Sequence, residues 1–233
     1  MADATTIANA LRPLAPKKEL KANDVVLINQ LAAQWEARMP KGDAIPAEQI
    51  KITARMAAEL AHHEALVREA YKDSVGVWTW AIGVTNASGH QVFPRYKDNP
   101  QSIARCFEVY VWLIENKYAP DVRKAFAGHK MTGAQFVAAL SFHYNTGAIL
   151  TADWVRQWKA GEIAQARRAI MNWRSPPEII PRRDKERDLF FDGEWSGDGT
   201  VRVLPVRKPS YQPDFRSTEK VNALPILEGL LNG

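Results

Sequence analysis

Residues 64–85 read EALVREAYKDSVGVWTWAIGVT, and this stretch decides the expected fold because its structural pattern changes twice. Apolar side chains recur at helical intervals before it, which predicts a helix from about Pro46 to Glu64. The chain then passes through Asp73 and Gly76, which have the composition of the first and fourth residues of a type I turn. Glu64 is therefore expected near the end of a helix, facing a turn that carries Asp73.

A β-hairpin is expected after this turn. Residues 77–83 are rich in β-branched and aromatic side chains, which is typical of a strand, and alternation places Thr79 on one of its faces. A second turn at residues 86–89 would return the chain, so that residues 90–93 form the partner strand. The hairpin would then carry Asp73 on its entry turn and Thr79 on its first strand.

Two carboxyl groups and a hydroxyl around one cleft suit hydrolysis of a glycosidic bond. One carboxylic acid protonates the leaving oxygen, while a carboxylate on the opposite side activates water or stabilises the transition state. Burial of Glu64 beside aromatic side chains would keep it protonated, whereas Asp73 on a solvated turn would stay ionised. The aromatic candidates are Trp78, Trp80 and Tyr71. The alternative, which spacing alone leaves open, is a surface glutamate at a helix end and a turn-forming aspartate.

Three ordered motifs resemble one known family. The spacing Glu64-x8-Asp73-x5-Thr79 resembles the catalytic signature of the phage lysozymes, or endolysins, of glycoside hydrolase family 24. SFHYNTG at residues 141–147 is similar to the helix end that lines the sugar cleft in that family. PRRDKERDLF at residues 181–190 is similar to its C-terminal helix. The resemblance implies a lysozyme fold over most of the chain.

The same resemblance implies an N-acetylmuramidase. It would hydrolyse the β-1,4 bond between N-acetylmuramic acid and N-acetylglucosamine in peptidoglycan without a cofactor or a metal, with inversion if the carboxylates leave room for a water. Glu64 would be the general acid, and Asp73 and Thr79 would activate and position the water. The expected substrate-binding residues are Tyr144, Asn145 and Gly147. A helix cap is the other role open to Asn145 and Gly147. Val84 stands where the family usually has histidine, so we expect altered packing there and intact chemistry.

The expected fold class is α+β and mostly α-helical. It is a two-lobed, lysozyme-like fold with a small β-hairpin lobe, a long central helix at about residues 102–118 and a larger helical lobe. Residues 46–195 would form the catalytic domain. Residues 1–45 would be an N-terminal extension with one helix, capped at Asn23 or Asp24 and ending near Arg38. Residues 196–233 would be a proline-rich C-terminal extension, either a strap over the domain or a partner-binding tail.

Helical spacing places three charged side chains of the third motif on one side of a helix. The spacing is typical of an exposed helix face with ion pairs between its side chains, here Arg182, Arg183 and Glu186. A grip on the carboxylates of peptide stems is the alternative. The first interpretation predicts that these side chains are exposed to solvent.

Composition is that of a soluble globular protein, with 46% hydrophobic and 24% charged residues. The formal net charge of +5 favours an anionic partner, either the bacterial cell wall or nucleic acid. We expect peptidoglycan glycan strands as partner, no nucleic acid, no membrane insertion and a monomer. Two rival classes are a basic helical domain that binds nucleic acid and a non-catalytic wall-binding or virion structural protein. Retention of Glu64, Asp73 and Thr79 together argues against a pure binder.

Two features bear on cellular location. Cys106 is the only cysteine, so no internal disulfide can form, and its apolar neighbours predict a buried thiol. Residues 1–20 contain no apolar core of signal-peptide length, and no later stretch reaches the length of a membrane span. We therefore expect synthesis in a bacterial host cytoplasm and release to the wall by a holin or another delivery device.

Overall fold

The computed structural model describes residue 8 and residues 12–15, 19–28 and 44–232. In chain order the bounded helices are α1 (Ala54–His63), α2 (Ile103–Leu113), α3 (Ala119–Ala125), α4 (Gly133–Thr146), α5 (Asp153–Lys159), α6 (Ile163–Ala169), α7 (Ile180–Asp192) and α8 (Leu224–Leu231). The strands are β1 (Ile45–Pro46), β2 (Leu66–Lys72), β3 (Trp78–Ala81), β4 (Val84–Thr85), β5 (Lys130–Met131), β6 (Thr200–Leu204), β7 (Val206–Arg207), β8 (Gln212–Pro213) and β9 (Glu219–Asn222). The predicted α+β, mostly helical class is confirmed.

Helix α1 is shorter than predicted. A 3-10 turn occupies Ala47–Gln49, and α1 begins only at Ala54, because the hydroxyl of Thr53 caps it by accepting from the Met56 N–H at 3.3 Å. The predicted start at Pro46 was therefore wrong. Glu64 is the residue that directly follows the helix, in an extended conformation that turns the chain towards the sheet.

The first predicted strand of the hairpin lobe is present as β3, but its partner strands differ from the prediction. β2 pairs antiparallel with β3, so the turn that carries Asp73 joins them, and β3 then pairs antiparallel with β4. Residues 90–93 form no strand, which makes that prediction wrong. The chain reverses earlier because Gly83 adopts φ +67°, a conformation that favours glycine. The predicted turn at residues 86–89 is present and begins with a short 3-10 helix.

The long central helix is confirmed. Ser102 caps α2 by accepting from the Arg105 N–H, and the helical backbone continues through a π-helical turn, Ile114–Tyr118, into α3. The larger lobe packs around α4, whose residues 134–143 are all buried. A capping box between Thr132 and Gln135 starts α4, as their spacing predicts.

The C-terminal segment enters the sheet of the hairpin lobe. β6 pairs parallel with β2, and β9 pairs antiparallel with β6, giving the strand order β4-β3-β2-β6-β9. Helix α8 packs against α1 and α2, and its Leu227 is completely buried. Residues 22–28 are also helical, so Asn23 and Asp24 lie inside the helix and the predicted cap was wrong. The rest of the predicted N-terminal helix lies outside the described residues.

Glu59 of α1 anchors the start of this C-terminal segment. Its buried carboxylate accepts hydrogen bonds from the Ser196 N–H at 3.0 Å, the Ser196 hydroxyl at 2.5 Å and the Gly197 N–H at 2.8 Å. Burial by itself raises the pKa of Glu59, but hydrogen bonds from His63, Ser196 and Gly197 outweigh it and lower the pKa to about 2. Glu59 is therefore more easily ionised in the folded protein than in the unfolded chain.

Acidification should lower the free energy of unfolding, because it protonates Glu59. Because the folded pKa lies below the ordinary value of 4.5, the stabilisation is complete above pH 4.5 and is lost as pH falls towards 2. We expect Glu59→Gln to lower the free energy of unfolding by up to about 3 kcal/mol at pH 6, and this deficit to shrink by about 2 kcal/mol at pH 3. Urea unfolding at both pH values, with the exposed Glu162→Gln as control, measures it. A deficit that does not change with pH would contradict the assignment.

Candidate active site

Glu64 and Asp73 line the same cleft. The cleft has a volume of about 480 Å³, and Glu64 and Asp73 lie on the wall formed by the end of α1, β2 and the following turn. The other wall comes from the C-terminal segment, with Arg202, Arg207 and Phe215 among its residues. The two carboxyl groups that the sequence places nine residues apart therefore share one groove.

Glu64 is held by an ion pair. Its carboxylate contacts the guanidinium of Arg182, and its side chain is 25% exposed. Burial first, and then the negative charge of Glu64, raises the pKa of four surrounding tyrosines, namely Tyr71, Tyr110, Tyr118 and Tyr144. Trp80, a predicted neighbour, stacks on Tyr96 with 3.8 Å between ring centroids and donates to the Arg68 carbonyl. The expected aromatic surroundings of Glu64 are thus supplied by tyrosines, together with a cation that the sequence did not suggest.

Asp73 occupies the turn between β2 and β3. Its Oδ1 accepts from the N–H groups of Val75 at 3.0 Å and Val77 at 2.9 Å, which fixes both the turn and one carboxylate oxygen. The side chain is half-buried and faces the cleft. The turn that the composition of residues 73–76 predicts is present, with Gly76 at φ +84°.

Thr79 lies one strand behind the cleft. It pairs with Tyr71, which lines the cleft, so that the two side chains share one face of the sheet. The Thr79 side chain is buried, with 3% exposed, and its hydroxyl donates to the Val77 carbonyl at 3.2 Å. The structure thus brings Glu64 and Asp73 to one groove and places Thr79 behind them.

The three charged residues of α7 are not exposed, which makes the predicted solvated face wrong. Arg183 and Glu186 are completely buried and pair with each other, and Arg182 is 10% exposed and donates to Glu186 at 2.9 Å. The Ser141 hydroxyl also donates to Glu186, at 2.6 Å. α7 packs against α4, so this side of the helix faces the protein interior. We call Arg182, Arg183, Glu186 and Ser141 the buried charge network.

The buried charge network contacts both Glu64 and Asn145. Arg182 contacts Glu64, and Arg183 donates to the Asn145 side-chain oxygen at 2.7 Å. Asn145 is exposed, and its amide nitrogen makes no hydrogen bond to any residue described by the structure. One oxygen of the Asn145 amide is therefore fixed from inside, while its donor side faces outwards.

The end of α4 connects the two lobes. Gly147 ends the helix as its C-terminal cap, with φ +67°. The Tyr144 hydroxyl donates to the Ile82 carbonyl at 2.5 Å, and its ring lies close to Gly83, where an added Cβ would approach the ring to 3.2 Å. Val84 is fully buried in the core and pairs with Trp80. Tyr144 therefore braces the helical lobe against the β3–β4 turn.

Removing the Tyr144 hydroxyl should loosen this brace. Tyr144→Phe would leave the Ile82 carbonyl without its partner, and Ile82 is completely buried. We expect the free energy of unfolding to fall by about 1–2 kcal/mol, measured by urea denaturation. Tyr211→Phe, which loses a hydroxyl bonded to the exposed Asp98, is the control and should change stability by less than about 0.5 kcal/mol. Equal effects of the two variants would refute the brace.

The second wall of the cleft was missed by sequence reasoning. Val201 and Val203 alternate with Arg202, which is typical of a strand, but nothing in the sequence shows which sheet edge such a strand would join. The available signal was the open edge of a hairpin strand, which requires a partner or a cover. Parallel pairing of β6 with β2 satisfies that edge and carries Arg202 and Leu204 to the groove.

Comparison with known proteins identifies the family. A family model described as phage lysozyme matches residues 61–186, just over half of the chain. The chain belongs to the phage lysozyme family. As a member of this family it is a hydrolase of the glycosidase type with peptidoglycan as its substrate. A comparison with curated proteins gave no significant match.

Solved structures share the fold. The endolysin from Escherichia coli O157:H7 phage FAHEc1 aligns with a TM-score of 0.56 and 21% identity, over 64% of this chain and 98% of that one. The muramidase domain of SpmX from Asticaccaulis excentricus gives 0.47 and 23%, over 61% and 98% of the two chains. A mutant of P22 lysozyme gives 0.49 and 22%, over 61% and 99%. The first of these likenesses supports the lysozyme fold of the family member described here.

The described residues contain neither a metal-binding cluster nor a membrane-spanning helix. No group of three histidine, cysteine, aspartate or glutamate side chains in the described ranges is placed to hold a metal ion. None of the described helices combines the length and apolarity required to span a membrane. The thiol of Cys106 is buried, as predicted, and burial raises its pKa to about 12.

Proposed function

We propose that this phage lysozyme family member is an endolysin-type N-acetylmuramidase. It would hydrolyse the β-1,4 bond between N-acetylmuramic acid and N-acetylglucosamine in peptidoglycan. The observation that carries the proposal is that Glu64 and Asp73 line one cleft, within a chain of the phage lysozyme family. A carboxylic acid and a carboxylate in one groove are what acid-assisted cleavage of a glycosidic bond requires.

We assign Glu64 as the general acid and Asp73, on the same cleft wall, as the carboxylate that activates water or stabilises the transition state. As general acid, Glu64 would donate its proton to the leaving glycosidic oxygen, and the contact with Arg182 holds its carboxyl group at the cleft wall. Asp73 keeps one oxygen for the reaction, since the other accepts two backbone N–H groups. We also assign positioning of the water to Thr79, whose hydroxyl donates to the Val77 carbonyl in this structure.

Three residues at the end of α4 would hold the sugar. The free amide nitrogen of Asn145 can donate to an N-acetyl carbonyl, while its oxygen is held by Arg183. Gly147 has no heavy atom within 4 Å of the place where a Cβ would stand, which leaves room for a pyranose. Tyr144 would contribute its ring, because its hydroxyl is engaged by Ile82. The proposal includes a monomer released to the wall by a holin or another device, without cofactor.

The proposal is tested by the chemistry of the new chain ends. Purified peptidoglycan is digested, the products are reduced with borohydride, and the reduced sugar is identified. Reduced muramic acid is expected, whereas reduced glucosamine or the absence of new reducing ends would refute the proposal. Proton NMR of the first-formed anomer gives the stereochemistry, for which we expect inversion.

A further inference from the structure

The cleft face of the sheet continues beyond the residues matched by the family. Leu204 of β6 pairs with Val67 of β2, and both line the cleft. Arg202, two residues before Leu204, is on the same face of β6, and Lys220 of β9 lies directly opposite Arg202 in register. The family match ends at residue 186, so both cations belong to the C-terminal segment.

These cations lie in a second groove that adjoins the cleft. Its volume is about 630 Å³, and it shares His63 and Arg202 with the cleft that contains Glu64 and Asp73. Lys220 and Lys185 also line it. The acidic residues of the groove are Glu178 and Asp198, and Asp198 already accepts from the backbone N–H and the hydroxyl of Thr200 through one oxygen.

The arrangement of Arg202 and Lys220 is unfavourable without an anion. Like charges directly opposite each other on neighbouring strands repel. Both side chains are exposed, and neither forms an ion pair with a carboxylate in the described part of the chain. Burial does not explain the pair, because the apolar residues Val201 and Val203 point to the other face.

We propose that Arg202 and Lys220 bind carboxylates of the peptide stems that branch from the muramic acid residues of the glycan. This inference rests on the proposed function. The glycan strand would lie along the wall that carries Glu64 and Asp73, and the branch would enter the adjoining groove at His63. Arg207, on the cleft wall itself, adds a third cation beside the strand. Guanidinium and ammonium groups are the side chains that suit carboxylates.

The test compares Arg202→Gln/Lys220→Gln with wild type on three substrates. These are native glycan strands, strands whose stem carboxylates are converted to amides, and strands freed of stems by an amidase. On native strands we expect kcat/KM to fall about threefold to tenfold, through KM, and the loss to vanish at high salt. On the other two substrates, the variant should equal wild type within twofold.

The control removes the same two charges elsewhere. Arg174→Gln/Lys51→Gln replaces two exposed cations that line neither groove, and it should match wild type on every substrate. An equal loss on amidated strands would overturn the proposal, because the cations would then act through structure. An equal loss on stem-free strands would also overturn it, because the lactyl carboxylate would be the ligand. Wild type inactive on all three substrates would instead refute the proposed function.

Discussion

Glu64→Gln should reduce hydrolysis of peptidoglycan by about a hundredfold to ten-thousandfold. Glutamine keeps the shape of the side chain but has no acidic proton to give to the leaving oxygen. A general acid contributes about a hundredfold to ten-thousandfold to the rate. The loss should appear in kcat, because the cleft walls that bind the glycan are unchanged. Release of reducing ends from purified peptidoglycan measures it. Binding of the same glycan by the inactive variant provides the second measurement.

The control for this experiment is a glutamate outside the cleft. Glu162→Gln replaces an exposed residue next to α6 and should leave the rate unchanged. Circular dichroism of each variant shows whether the fold persists, which matters because Glu64 also pairs with Arg182. A folded Glu64→Gln protein with wild-type activity would remove Glu64 from the mechanism.

Local signals in the sequence were sufficient for much of this site. The turn at residues 73–76, the capping box that starts α4 and Gly147 at its end all depend on side chains within a few positions of one another. Such features are encoded in short stretches, so they can be read from one sequence. They place Asp73 and Asn145 correctly on their turn and helix end.

Pairing between distant strands could not be read in the same way. Residues 66–72, LVREAYK, form β2, yet they directly follow a helix and contain good helix formers. Their extended conformation is stabilised by β3 on one side and by β6, more than 130 residues later, on the other. Tertiary pairing therefore overrides local preference here, and it also creates the second cleft wall.

The buried charge network was misread for a related reason. Arg183 and Glu186 have the i, i+3 spacing of an exposed ion pair, and Arg105 and Glu108 have the same spacing. The first pair is completely buried against α4, whereas the side chains of the second are 36% and 55% exposed. The spacing of two charges along a helix does not show whether another helix packs over them. Only the partners Ser141 and Asn145 on α4 distinguish the two cases.

Glu186→Gln should therefore be among the most destabilising single changes in the chain. It removes the negative charge between Arg182 and Arg183, and it leaves the buried guanidinium of Arg183 without an anionic partner. Breaking a buried ion pair by removing one partner costs about 3–5 kcal/mol. We expect a loss of this size in the free energy of unfolding, measured by urea denaturation at neutral pH. Activity should fall as well, since Arg182 positions Glu64 and Arg183 positions Asn145.

The matched control is Glu108→Gln, which removes the acid of the exposed pair with the same spacing, joined at 2.7 Å. Its cost should be below about 1 kcal/mol, because water screens an exposed pair and solvates the arginine that remains. The two variants share the helical spacing and the residue types, so the difference between their stability losses reports the effect of burial. Similar costs for the two variants would mean that solvent reaches Glu186, and the network could then not be what holds Arg182 against Glu64.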